Sequence, residues 1–511
     1  MLFNSYAFIF CFLPVTLAGF FLLARWSALL ASGWLVLASL TFYGYWNVAY
    51  VPLLLLSIVF NFFMGVAISA ATARRRWLLT AGLAANLVLL GYYKYADFFV
   101  VNLNALGAEF ALHNVILPLG ISFFTFTQIA FLVDVYQRKA AEFRFVHYCL
   151  FVTYFPHLIA GPVLHHHEMM PQFGLAATYR FNWENFAVGL TIFFIGLAKK
   201  VLIADSIGEY ARPVFDAPGK GVALSAVDAW GGALAYTFQL YFDFSGYSDM
   251  AIGLSRMMGV KLPLNFASPY KAASIIEFWR CWHMTLSRFL RDYLYYPLGG
   301  NRKGAARRYI NLMVTMVLGG LWHGANWTFV VWGALHGGFL LINHAWRTLK
   351  QRLGYAQTGG RFARACAVML TFLSVVVAWV YFRSDSIAHA HTILSAMAGA
   401  NGVTLPYRWL EKLGSTGVWL AGQGVQFQNT AVFSGGTQIN WLIACALLVW
   451  LAPNTQQLLR RFQPALDVTD QMGARGLRWQ LNTRWMLAIA ALATFGILSL
   501  SNLSEFIYFQ F

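Results

Sequence analysis

Long apolar runs alternate with short polar and basic interruptions along the whole chain. Uninterrupted apolar stretches cover residues 6–23, 29–45, 51–70, 77–93 and 441–451. Each is near or somewhat below the roughly 20 residues that a helix needs to cross a bilayer, and flanking apolar residues extend several of them. Further runs lie at 186–198, 227–243, 309–321, 327–343, 366–382 and 485–501, and the run at 441–451 extends over 436–452. A soluble core hides one or two such stretches, not this many. The pattern predicts an all-α polytopic membrane protein with about 11 transmembrane helices. The first run has no basic segment before it and more apolar runs close behind it, so it reads as a retained helix rather than a signal peptide.

Two stretches break the pattern. Residues 151–172, FVTYFPHLIAGPVLHHHEMMPQ, hold three prolines, a glycine and four histidines. Irregular backbone at membrane depth must be wrapped in protein or line a watery cavity, which predicts a re-entrant or discontinuous element. Residues 262–300 mix aromatic and aliphatic side chains with Lys271, Glu277, Arg280, Arg288, Arg291 and Asp292. That is too polar for a lipid-facing span and predicts helices at the interface or inside the protein body. No repeat is evident. The expected organisation is a single domain over 1–511, with N-terminal helices at 1–134, a core at 151–343 and C-terminal helices at 363–511.

Composition agrees. Apolar residues make up 59% of 511 and charged residues only 11%, against about 25% charged in soluble chains. The net charge of +17 sits in short clusters between apolar runs, such as Arg74–Arg76, Arg138–Lys139, Lys199–Lys200 and Arg307–Arg308. This is the signature of cytoplasmic loops and not of a nucleic-acid-binding surface. It orients the chain with its N-terminus outside and with the Gly-rich stretch 414–436 outside. The five cysteines, Cys11, Cys149, Cys281, Cys366 and Cys445, form no close pair and read as small buried hydrophobes.

The candidate chemistry centres on histidine. His323 lies in GGLWHGANWTFVVWGALHGG, flanked by Trp322, Gly324, Asn326 and Trp327. An ionisable group at membrane depth is costly unless it pairs or faces a cavity. A neutral imidazole can take the proton of a hydroxyl attacking an acyl carbonyl. Asn326 is placed to orient the ring or bind a substrate oxygen; a structural core histidine is the alternative. No serine or cysteine nucleophile motif is present, so direct transfer is the simpler chemistry. In FWRCWHMTLS, helical spacing would put Arg280, His283 and Ser287 on one face, His283 being either a proton relay or an interfacial ring among tryptophans. In YFDFSGYSDM, Asp243, Ser245 and Asp249 read either as a polar wall or network or as caps at a helix break. His165, His166 and His167 match no standard zinc spacing and read as a cavity-rim cluster, so no metal is expected. His157 carries the same reading, and His336 is a candidate second wall residue.

Taken together, DFSGYSDMAIG at 243–253, LPLNF and PY within 262–270, FWRCWHMTLSRFLRDYLYYPLGGNRKG at 278–304, LGGLWHGANWTFVVWGALHG at 318–337 and FIYFQF at 506–511 resemble the membrane-bound O-acyltransferase superfamily. The closest likeness is to its bacterial alginate O-acetyltransferase branch, which the N-terminal MLFNSYAFIFCFLP also resembles. The family's hallmark histidine falls on His323 and its second on His283; Cys281 stands where relatives often have another arginine. The resemblance implies a helical body pierced by a central tunnel with the histidine at its waist, in the bacterial inner membrane. It implies acetyl-CoA as a cytoplasmic donor substrate, with no permanently bound cofactor. It also implies an envelope-facing SGNH-type partner with a Ser-His-Asp site, and other exopolysaccharide synthesis and export proteins. Alginate is the acceptor it points to first, with cellulose another. The alternatives are a peptidoglycan O-acetyltransferase, D-alanyl transfer to teichoic acid and, in a different class, a polymer-export transporter or scaffold.

Overall fold

The computed structural model describes residues 1–140, 144–159, 161–354, 360–428, 432–466 and 476–501. The FIYFQF motif lies outside the described residues. The protein is largely helical. Val48–Ala70, Trp183–Asp216 and Arg361–Arg383 are long and apolar enough to cross a membrane, and five shorter apolar helices accompany them.

The N-terminal helices are α1 (Leu13–Leu23), α2 (Ala28–Gly44), α3 (Val51–Ala70), α4 (Arg75–Leu90), α5 (Ala96–Ala105) and α6 (Ile121–Tyr136). Asn61 on α3 and Asn86 on α4 exchange amide hydrogen bonds of 3.2 and 2.7 Å. Each also donates to a carbonyl one turn back, so no buried amide hydrogen is wasted. Arg75 donates to the carbonyls of Ile68, Val135 and Tyr136, at 3.1, 3.1 and 2.9 Å. It thereby satisfies open carbonyls at the ends of α3 and α6. The basic edges at Arg74–Arg76 and Arg138–Lys139 therefore share one face of the molecule.

The Pro/Gly-rich stretch is discontinuous and buried, as its composition requires. It forms α7 (Phe145–Thr153), a single turn α8 (Phe155–Leu158) and α9 (His166–Phe173), with non-helical backbone before α9.

The centre is α10 (Trp183–Ala198), a wide π-helical turn at Lys199–Ala204, α11 (Asp205–Asp216) and the 32-residue α12 (Ala226–Met257). Glycines let α10 and α12 touch backbone to backbone. A Cβ on Gly196 would meet the Gly246 carbonyl at 2.5 Å, and one on Gly189 the Gly253 carbonyl at 2.6 Å. The two contacts recur at a seven-residue interval, two helical turns, which keeps them on one seam.

Two expectations are corrected here. The segment YFDFSGYSDM does not cap a break, because it lies inside the unbroken α12. Lys199–Lys200 is not a solvent-facing loop cluster. Lys200 pairs with Asp243 at 2.6 Å and with Asp205 at 2.8 Å, and Lys199 pairs with Asp249 at 2.6 Å. Charges this deep persist only when paired, and Asp243 and Asp249 on α12 each have a lysine on the facing turn.

The remaining elements are α13 (Ile275–Cys281), α14 (Met284–Leu290), α15 (Gly304–His323), α16 (Trp327–Arg352), α17 (Arg361–Arg383) and α18 (Ile387–Met397). A short parallel strand pair departs from the all-α expectation: β1 (Thr404–Pro406) pairs with β2 (Gln426–Gln428). Between them lie α19 (Arg408–Leu413) and α20 (Ser415–Gly422), and after them α21 (Gly436–Leu451), α22 (Thr455–Leu458) and α23 (Thr483–Leu498). Only Cys149 and Cys445 are buried; Cys11 and Cys366 are exposed, which corrects the reading of the cysteines as a buried set.

Candidate active site

His323 is the last residue of α15. Gly324 follows in extended backbone, and the chain turns back into α16. The two helices approach closely through glycine: a Cβ on Gly320 would strike the Phe329 carbonyl, and one on Gly333 the Met316 carbonyl. This holds the His323 ring against Trp332 and Phe382, each with ring centroids 5.2 Å away. The site is apolar walls around one imidazole.

His283 reaches the same place by a different route. Trp282 is extended and His283 is left-handed, with φ 42° and ψ 51°, so α13 ends and α14 restarts in a new direction. Histidine tolerates this region better than most side chains, but it is strained and must be held. Asn265 holds it. Its carbonyl accepts from the Met284 amide at 3.0 Å, while its side-chain oxygen lies 3.0 Å from His283 Nδ1 and accepts from the Thr285 hydroxyl at 2.9 Å. Asn265 Nδ2 donates to Ser248 at 3.3 Å. With that amide orientation, His283 Nδ1 is the protonated nitrogen and Nε2 carries the lone pair. The helix break means that Arg280, His283 and Ser287 do not share a helical face: Arg280 is exposed while His283 is fully buried.

The two rings meet, with centroids 6.3 Å apart. Trp322 lies beside them, stacked on Phe126. Asn326 is elsewhere in role. Its oxygen accepts from the Thr328 amide as the cap of α16, and its nitrogen donates to the Asp385 carbonyl, so it fastens the turn and does not orient the imidazole. Asp243 and Asp249 anchor α12 to the lysine turn, and Asp249 also accepts from Thr455 at 2.6 Å. Ser245 is buried on the same helix. His336 is sealed among Trp332, Trp279 and Phe278 as an aromatic-box residue.

Two residues were missed in the sequence. Lys94, a lone cation after an apolar run, reaches in to donate to the carbonyls of Trp322 and His323 at 2.5 and 3.0 Å. Those carbonyls are the open end of α15, where a cation is favoured. Asn265 sits in LPLNF, a motif noticed there without a role for its amide.

Cavities lie near the histidine pair, and His323 itself lines one of them. One of about 600 Å³ is lined by Lys94, Ser122, Trp322 and His323, at the start of α6. Another of about 860 Å³ is lined by Arg280, Thr285, Arg288, Arg291 and Arg308. Thr285 in its wall is two residues from His283. A third, of about 630 Å³, shares Arg288 and Tyr296 with the second and includes Asp134, near the other end of α6. A 16-residue helix is about 24 Å long.

A buried histidine pair in a helical body with membrane-length apolar helices, with one cavity at His323 and an arginine-lined one at Thr285, fits a membrane acyltransferase. The chain belongs to the membrane-bound O-acyltransferase family, whose profile matches residues 110–384, and to its alginate O-acetylase-like branch. It is 46% identical over 435 residues to the peptidoglycan O-acetyltransferase of Helicobacter pylori, covering 79% of this chain and 81% of that one. It is 39% identical to the probable alginate O-acetylase AlgI of Pseudomonas putida over the full length of both. A teichoic acid D-alanyltransferase of Streptococcus thermophilus is 26% identical over 52% of this chain and 68% of its own. The protein is an O-acyltransferase.

Proposed function

We propose that the protein moves an acetyl group from acetyl-CoA on the basic side of the membrane to an acceptor hydroxyl on the other, for O-acetylation of a secreted exopolysaccharide. The observation that carries this is the histidine pair with two cavities near it, one lined by Lys94, Trp322 and His323 and the other by arginines and Thr285, two residues after His283. The arginine-lined cavity shares Arg288 and Tyr296 with the one that includes Asp134, Gln137 and Lys139, beside the end of α6 that Arg75 ties to the basic edge, the side that charge assigns to the cytoplasm. Of the arginines in its wall, Arg288 and Arg291 are paired with Glu168 and Asp292, and Arg280 and Arg308 suit the phosphates of a coenzyme A thioester. The two cavities joined would be the central tunnel.

In this reading His323 acts as general base. It takes the proton of the acceptor hydroxyl as that oxygen attacks the thioester carbonyl. The carbon–sulfur bond breaks, and the departing thiolate takes up the proton. His283, its Nδ1–H occupied by Asn265, offers Nε2 to hold the acceptor hydroxyl. Trp322 and the surrounding rings exclude water that would hydrolyse the thioester. The acceptor-side partner is an SGNH-type protein that completes transfer to sugar hydroxyls.

Alginate is the proposed polymer, supported by end-to-end similarity to an alginate O-acetylase. Peptidoglycan is the second reading, favoured by the 46% identity to a peptidoglycan O-acetyltransferase. Deleting the gene and measuring acetyl esters on secreted uronic-acid polymer and on muropeptides separates them. Loss from muropeptides alone would exclude the exopolysaccharide reading.

A further inference from the structure

We propose that Asp134, His166 and His167 form a binding site for one zinc ion, which clamps the end of α6 to the start of α9. The sequence argued against a metal here because His165, His166 and His167 match no standard zinc spacing. The fold supplies the third ligand from α6, 32 residues before His166. One ligand atom from each of the three side chains lies within 4.8 Å of the others. His166 Nδ1 and Asp134 Oδ2 are already 3.1 Å apart, close to the roughly 3.4 Å between two ligands of tetrahedral zinc with bonds of about 2.0–2.1 Å. The remaining approach falls to His167, an exposed side chain that is free to turn.

The surroundings fit a metal centre. Two imidazoles and a carboxylate are a borderline donor set suited to zinc. Asp134 meets a phenol and an imidazole, not a lysine or arginine: Tyr293 donates to its Oδ1 at 2.9 Å. Since that phenol's single proton goes to Asp134, its oxygen accepts from His165 Nδ1, 3.0 Å away. His165 Nε2 is then an unprotonated, buried nitrogen with no hydrogen-bond partner among the described residues, on a ring centred 5.5 Å from that of His167. Hydrogen-bonded outer groups of this kind fix the ligands of metal sites. The nearby arginines are engaged, Arg288 by Glu168 and Arg291 by Asp292, each at 2.7 Å. Lys139 remains on the cavity wall as the opposing charge. His167 opens onto that cavity of about 630 Å³, which gives an ion its entry path and leaves a fourth position for water. The cavity shares Arg288 and Tyr296 with the arginine-lined one, so the clamp would stiffen that mouth.

The test uses full-length protein, purified in detergent without a histidine tag, stripped with EDTA and dialysed against zinc chloride. Metal content is read by atomic emission and affinity by competition with a chelator dye. One zinc per chain is expected, with affinity at least about 100-fold weaker in His167→Ala. That exposed position keeps the variant folded, and His113→Ala, at an exposed loop position elsewhere, should bind as the parent does. Asp134→Asn repeats the test from α6. Substoichiometric zinc in the parent, or unchanged affinity in His167→Ala, would overturn the proposal.

Discussion

His283 and His323 face each other with ring centroids 6.3 Å apart, although one precedes α14 and the other ends α15. Neither position is a regular helical one. His283 sits at a left-handed break, and His323 sits where a glycine turns the chain. Two imperfect helix ends converge to make an imidazole pair of which His323 lines one cavity, while Thr285, two residues after His283, lines another.

Replacing His323 by alanine should lower acetyl transfer by about 10²- to 10⁴-fold, the usual range for a lost general base. Acetyl content of the product polymer, normalised to protein in the membrane fraction, measures it. Full acetylation would remove His323 from the chemistry.

Asn265 should behave as a positioning residue for His283. Asn265→Ala removes the acceptor for Nδ1–H and the tie to Thr285, and misplacement of a catalytic group by about 1 Å costs about 100-fold in rate. Asn265→Asp keeps the acceptor oxygen and should recover most of the loss. Equal rates for both variants would argue against an orienting role.

The lysine–aspartate turn should be critical for stability. Lys200→Met removes the cation that pairs with Asp243 and Asp205, and breaking a buried pair costs about 3–5 kcal/mol. The double variant Lys200→Met with Asp243→Leu should recover part of this. Thermal unfolding in detergent, followed by monodispersity, reads both.

At the α10–α12 seam, a Cβ on Gly246 would lie 2.7 Å from the Gly196 carbonyl. Gly246→Ala should therefore destabilise by about 1–3 kcal/mol through overpacking. Gly338→Ala, where a Cβ meets nothing within 4 Å, should be neutral or slightly stabilising in the same melt.

Removing arginines from the larger cavity should weaken donor binding without touching the chemistry. Arg280→Ala with Arg308→Ala should raise KM for acetyl-CoA and leave kcat near that of the parent. The parent's KM should also rise with salt, as screening predicts, and the variant's should rise less. A fall in kcat alone would place these residues elsewhere in the reaction.

Membrane character, the broken stretch before α9, the polar helices around 275–290 and the two histidines were all legible in the linear chain. Each is a local property, since apolar run length, Pro/Gly content and an ionisable group in an apolar setting need no partner to be read. What tertiary structure decided was pairing. Lys199 and Lys200 look like a loop cluster until the turn after α10 is laid against α12, where Asp243 and Asp249 are buried beneath them. Asn326 looks like a substrate ligand until its amide is seen spent on a helix cap and on Asp385. His166 and His167 look like a rim cluster until α6 brings Asp134 beside them. The sequence by itself determined which segments enter the membrane body and which side chains are too costly to be idle there. Which of those side chains neutralise one another, and which are left facing a cavity, was decided only when distant helices came into contact, because desolvation acts on each residue alone and compensation takes two.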